Sequence, residues 1–257
     1  MEQRPHPGDI DHHIMRDLGF SVGLVGEEMH GSARVVPEMW VPGSEAVRMG
    51  ILAAWVDMVA GHLAIDLFTP SVPVTLDLDV HLHHQAVGVG VVRMVGRTQK
   101  AGRSVAVLSV DIEADGSAIG FAHATFMAAP NPSLKMPTVV SDEGLLEPHP
   151  ARLTVPFAER AGCEPRRPGV VEIPMRPDGL NAAGTLNGGL LALAVEEAAL
   201  SGGDGRPLES MTMRFVSPVR TGPAVAVAEV RDGLGNVVVR DEGRDDRLAV
   251  IATTRAR

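Results

Sequence analysis

Two stretches constrain this chain more than any other feature: "RMGILAAWVD" at 48–57 and "NGGLLALAVE" at 187–196. Each reads as part of a helix that is apolar on nearly every face, and each carries a carboxylate at the same place, Asp57 in one and Glu196 in the other. A helix with no polar face must be covered all round, so each one needs a sheet wrapped about it. A carboxylate in such a setting is costly unless it is paired or used. The two glycines that open the second stretch, Gly188 and Gly189, also need a reason, because glycine is about 1 kcal/mol poorer than alanine inside a helix.

The flanking patterns repeat around both helices. In the first half "HGSARVVPEMW" alternates like a strand, and the apolar helix spans "SEAVRMGILAAWVDMVAGHLAIDLF". "VTLDLDVHLHHQAVG" and three further strands through "FMAA" follow, with the Asp115–Gly116 pair as a hairpin signal. The second half runs "GVVEIPMRP", the helix from about Gly188, "ESMTMRFVSPVRTG", and two closing strand regions. Both halves are therefore strand, long helix, strand meander, which is an internal repeat of about 110–130 residues. The fold class expected is α+β and tandem, each half a curved antiparallel sheet wrapped around one long central helix. The halves are residues 1–130 and 151–257, joined by a proline-rich linker at 131–150.

Composition excludes several partners. The net charge of −9, with no Lys/Arg block, argues against nucleic acid. No basic-then-apolar start suggests a signal peptide, and no charge-free run of about 18 residues suggests a membrane span. The single cysteine, Cys163, cannot form an internal disulfide and reads as a bystander thiol; a reducing, cytoplasmic setting is expected. No cofactor is expected. "HLHH" at 81–84 puts His81 and His83 on one strand face, but without a companion Asp/Cys cluster it reads as exposed strand histidine rather than a metal site. Arg97, Lys100 and Arg103 sit near a hairpin, where they could meet phosphates or simply be solvated.

The N-terminal turn of a helix offers free N–H groups and a positive dipole end. A glycine there lets a carbonyl oxygen approach closely, as in an oxyanion hole. Gly188 and Glu196 are eight residues apart, about 12 Å along a helix, so one reacting carbonyl cannot touch both. The carboxylate that works with Gly188 must come from the other helix. Aligning the two stretches sets Asp57 on Glu196, Gly50 on Gly189 and Met49 on Gly188. If the helices pack antiparallel, Gly188 faces Asp57 and Met49 faces Glu196.

These residues resemble the hotdog-fold acyl-CoA thioesterases of the phenylacetate-degradation type, whose motif runs Asn, then His-Gly-Gly beginning six positions later, then Asp eight residues after the first Gly. The second half has Asn181, "NGG" at 187–189 and Glu196; it departs from the pattern in Asn187 for His and Glu for Asp. The first half keeps Asp57 and Gly50 but has Pro42, Arg48 and Met49 where Asn, His and the first Gly would stand. The closing meander, "GRTQKAGRSVAVLSVDIEADGSAIGFAHATFMA", is similar to the family's as well. The resemblance spans most of the chain and implies a fused, double hotdog. It implies one site with Asp57, Gly188 and Asn181 catalytic, and Asn187 and Gly189 binding substrate. A second, degenerate site would hold Glu196 and Met49. Some members place a Ser or Thr near the acid, which points to Thr75; counting back from the turn at Gly88 favours Val74.

The activity implied is hydrolysis of an acyl-CoA to free acid and CoA, with Asp57 as base or nucleophile, and a homodimer of the fused chain is plausible. Each residue also has a plain reading: Asp57 a satisfied buried acid, the glycines a packing device, Asn181 a turn residue, Glu196 an exposed helix edge. The competing function is a non-catalytic acyl-CoA or acyl-carrier-protein binding double hotdog. A hotdog hydratase would need an Asp and His a few residues apart in a loop-helix segment, and no such pair flanks either helix.

Overall fold

The computed structural model describes residues 13–129 and 150–256, so the expected linker at 131–150 lies outside the described residues except for Pro150. The first half contains β1 (Ser21–Val25), β2 (Glu28–Arg34), α1 (Met49–Phe68), β3 (Pro73–Leu82), β4 (Val91–Ala101), β5 (Val105–Ala114) and β6 (Ser117–Ala128). The second contains α2 (Phe157–Ala161), β7 (Glu164–Arg167), β8 (Val170–Ile173), α3 (Gly188–Gly202), β9 (Leu208–Phe215), β10 (Ala224–Arg231), β11 (Leu234–Asp241) and β12 (Arg247–Ala256).

All twelve strands join one antiparallel sheet in the order β1-β2-β4-β5-β6-β3-β9-β12-β11-β10-β8-β7. With β9 standing for β3 and β12 for β6, the second six strands repeat the first six in reverse, as a pseudo-twofold axis requires. The halves meet at the antiparallel β3–β9 pair, in register from Asp77 opposite Arg214 to His81 opposite Ser210. The fold is a tandem hotdog of the α+β class, each half a curved sheet around one central helix. The hairpin turns repeat too: Asp115–Gly116 and Asp232–Gly233 both take left-handed backbone angles, the geometry that suits two-residue hairpins.

The helices lie on the inner face of the sheet because nothing else could cover them. Residues 49–56 of α1 and 189–195 of α3 are buried without a polar break. Among the described residues α1 alone is long and apolar enough to cross a membrane, but here it is the core helix of the first half. The two helices cross antiparallel at very short range. A Cβ on Gly189 would lie 2.6 Å from the Cβ of Ala54, and one on Gly50 would lie 2.9 Å from the Cα of Leu193. Gly50 and Gly189 therefore set the helix spacing, which offsets their poor helix propensity.

Two local expectations are corrected. The strand read over residues 30–40 stops at Arg34, and Pro37–Met39 forms a 3₁₀ turn, since proline at 37 cannot donate to a ladder. The first helix begins at Met49 rather than near Ser44, because Val47 bridges to Trp40 and Ala46 to Val87 in extended backbone.

Candidate active site

The antiparallel helix pair brings Asp57, from the third turn of α1, against the N-terminus of α3. A Cβ on Gly188 would lie 3.4 Å from Asp57 Oδ2 and 3.7 Å from the ring of Phe215 at the end of β9. The Gly188 N–H has no hydrogen-bond partner among the described residues. Its neighbour differs: Asn187 is the N-cap of α3, and its Oδ1 accepts from the Gly189 N–H at 2.8 Å. The arrangement leaves one free donor, at the positive end of a fifteen-residue helix, facing a carboxylate.

Asp57 Oδ1 accepts a 2.9 Å hydrogen bond from the Thr75 hydroxyl. Simple alternation back from the buried Leu78 and Val80 would turn Val74 inward and Thr75 outward. The register of β3 against β6 slips between Thr75 and Asp77, and this bulge reverses the phase, so that Thr75 reaches Asp57. Burial pushes the Asp57 carboxyl up from 3.8 to about 6, and the Thr75 hydrogen bond pulls the other way. The residue keeps some accessible surface, which tempers the shift without changing its direction. A carboxyl with that pKa and partial water access is suited to proton transfer near neutrality.

Asn181 occupies the loop before α3. Its Oδ1 accepts from the Ala183 N–H at 3.0 Å and from the Thr185 N–H and hydroxyl, each at 3.1 Å. Its carbonyl oxygen thus shapes the loop, while its Nδ2 has no hydrogen-bond partner among the described residues. Asn187 is held by helix capping. The structure brings Asp57, Thr75 and Gly188 together, with Phe215 as an aromatic wall that the sequence pattern did not single out.

The mirrored site is closed. Glu196 is fully buried, and its carboxylate accepts from the Met49 N–H at 2.6 Å and the Gly50 N–H at 3.2 Å. Glu196 thus caps α1, whose own N-cap, Arg48, provides no side-chain cap. One extra methylene explains the difference between the sites: glutamate reaches the helix N–H groups, whereas Asp57 stops short of Gly188. Arg48, 1% exposed, stands 3.7 Å from Glu196 and hydrogen-bonds Glu197. Desolvation raises the Glu196 carboxyl to about 7 against the pull of Arg48, with Glu197 reinforcing the rise. The reading of Glu196 as an exposed helix edge is therefore corrected: an oppositely charged buried partner and two N–H groups satisfy it inside. Cys163 lies near this cluster, and burial pushes its thiol up to about 12, which leaves it unreactive.

The other candidates lie elsewhere. His81, His83 and His123 surround Phe121 at ring separations of 5.3, 5.6 and 5.5 Å, with Asp79 Oδ1 3.2 Å from His123 Nδ1. Among the described residues, no cluster of three His, Cys, Asp or Glu side chains could hold a metal ion. Arg97 is engaged by Glu28 at 2.6 Å and by Asp111. A groove of about 520 Å³ lies beside His83, Phe121 and His123, and a cavity of about 310 Å³ lies beyond the C-terminus of α3. Neither includes Asp57, and neither joins an acid to a free helix N–H, so chemistry rather than volume locates the site.

Comparison with known proteins agrees with the fold. Residues 49–120 match the family model described as thioesterase superfamily. A search of curated proteins finds no match. Among solved structures, an acyl-ACP thioesterase from Bacteroides thetaiotaomicron is similar at 14% identity and TM-score 0.62, covering 89% of this chain and 97% of its own. A 12:0-ACP thioesterase from Umbellularia californica reaches TM-score 0.64 at 12% identity, covering 91% and 99%. A tesB protein from Mycobacterium avium subsp. paratuberculosis reaches 0.58 at 15%, covering 94% and 96%. At these identities the likeness establishes the shared fold.

Proposed function

We propose that this chain is a thioester hydrolase that cleaves an acyl-CoA to free acid and CoA at one site between its halves. The observation that carries the reading is the juxtaposition of Asp57 with the unpaired N–H of Gly188. The match of residues 49–120 to the thioesterase superfamily supports it. In the base form of the reaction, Asp57 takes a proton from water and the resulting hydroxide attacks the thioester carbon. The tetrahedral oxyanion is held by the Gly188 N–H and the α3 dipole. Collapse breaks the C–S bond, and the proton on Asp57 passes to the departing thiolate. In the nucleophilic form, the Asp57 carboxylate attacks the thioester carbon, the C–S bond breaks and CoA leaves as a thiolate that takes a proton from water, and a second water cleaves the resulting anhydride to free acid and the Asp57 carboxylate. Thr75 fixes the carboxylate, and the Asn181 amide orients the water or the thioester. Asn187 and Gly189 shape the binding turn through the cap they form together. The Glu196–Met49 site is silent because its N–H groups are already occupied.

The same reading includes a cytoplasmic setting and a possible homodimer of the fused chain. The test is thiol release from short, long and aryl acyl-CoAs by wild type and Asp57→Asn side by side. Turnover that disappears in the variant supports the proposal, and a fully active variant refutes it. Acyl-CoA binding without any turnover would establish instead the non-catalytic acyl-CoA or acyl-carrier-protein binding reading.

A further inference from the structure

The N-terminal segment of the first half grips the loop of the second half that leads into Gly188. The 3₁₀ turn Ile14–Leu18 and α2 are mirror elements: each has five residues, ends in a left-handed glycine, Gly19 or Gly162, and leads into an edge strand. Asp17 is the fourth residue of one and Arg160 the fourth of the other, and the two meet, Arg160 Nε donating to Asp17 Oδ2 at 2.8 Å. The pair therefore straddles the pseudo-twofold axis. Two identical halves would set like charges against each other there; opposite charges are available only because the halves differ.

Arg160 does more than pair with Asp17. Its Nη1 donates to Asp178 Oδ2 at 2.8 Å, and Arg176 Nη2 donates to the same oxygen at 2.9 Å. His13 Nε2 lies 2.9 Å from the carbonyl oxygen of Leu180. From Asp178 the path to the site is short. The Gly179 carbonyl accepts from the Asn187 N–H at 3.0 Å, and Asn187 precedes Gly188. On the first half the corresponding turn, Pro37–Met39, carries Glu38 where Asp178 stands, and Pro156 takes the place of His13. Among the described residues Glu38 forms no ion pair. The grip thus falls on the loop of the open site and spares the loop of the closed one.

We propose that Arg160, bridging Asp17 and Asp178, is a positioning residue that fixes the 177–187 loop and through it the Gly188 N–H. The inference rests on the reading of Gly188 and Asp57 as the productive site. Two variants test it. Arg160→Met removes both ion pairs at similar length. The double exchange Asp17→Arg with Arg160→Asp keeps opposite charges across the axis but sets a carboxylate against Asp178, releasing the loop alone. The expected result in both is faster amide hydrogen exchange confined to 179–188, with the melting temperature of the double exchange near that of wild type. In turnover of the acyl-CoA panel, kcat should fall about tenfold or more with KM unchanged, since small misplacements at a reacting centre carry such penalties. Unchanged exchange in the loop, exchange accelerated throughout the chain, or an unchanged kcat overturns the proposal. Exchange is read without substrate: if wild type turns over no thioester, the hydrolase reading fails and loop exchange alone decides on the grip.

Discussion

Replacing Asp57 by Asn should separate stability from activity, with opposite signs. Because the folded pKa of Asp57 is raised above the unfolded one, the folded state holds the proton more tightly. Its stabilising contribution is present below about pH 4 and is lost as pH rises through about 6. The interval between 3.8 and about 6, at 1.36 kcal/mol per pH unit, corresponds to about 3 kcal/mol. The partial water access of Asp57 reduces this to about 2 kcal/mol, or about 6 °C in melting temperature for a chain of this size. Asparagine keeps an acceptor for the Thr75 hydroxyl and never ionises. Unfolding of both proteins in denaturant from pH 4 to pH 8 should show a stability gap in favour of Asp57→Asn that opens between those limits and levels off above about 6. Glu196 titrates in both proteins and cancels in the difference. A gap that does not change with pH, or a variant less stable than wild type at pH 8, would refute the account of Asp57 as a desolvated carboxyl.

Three more outcomes follow from the geometry. The rate kcat/KM should rise with pH through about 6 as Asp57 ionises, and Thr75→Val, which removes a hydrogen bond to the charged form, should move that limb to higher pH in a pH–rate profile. Gly188→Ala and Gly189→Ala should diverge: the first fits at 3.4 Å from Asp57, so it leaves the melting temperature intact but obstructs turnover. The second meets Ala54 at 2.6 Å and should cost about 1–3 kcal/mol of stability by denaturant unfolding. Glu196→Ala leaves two buried helix N–H groups without an acceptor, while Arg48 keeps its hydrogen bond to Glu197, and should cost about 2–4 kcal/mol, whereas Glu196→Gln should change turnover little; a large loss of turnover in Glu196→Gln would argue that the second site is active.

The features that could be read from the sequence were those set by periodicity along the chain. The two long helices are marked directly by their apolar runs, and the second begins at Gly188 as its glycines indicate, whereas the first begins at Met49, five residues past the start its pattern suggests. The contact of Gly188 with Asp57 follows from the repeat on the condition that the two like helices pack antiparallel, as they do. What stayed hidden depends on single atoms. A bulge in β3 reverses side-chain direction, so counting pointed to Val74 while the hydroxyl that reaches Asp57 belongs to Thr75. No pattern distinguishes a glutamate that can reach the N–H groups of Met49 and Gly50 from an aspartate that cannot; only the side-chain length hinted at it. The short elements β1, β7 and α2 escaped notice for lack of enough residues to show a period, and the meeting of Asp17 with Arg160 spans 143 positions of chain.

The β3–β9 seam joins the two halves within one chain. A site shared between separate subunits empties on dilution, because its two parts drift apart. Here both parts belong to one chain, so the effective concentration of each for the other is set by tethering and does not change when the sample is diluted. Activity per molecule should therefore stay constant down to the lowest assayable concentration. A residue altered in one half also alters only one of the two sites, which is the freedom that lets Glu196 close one while Asp57 keeps the other open.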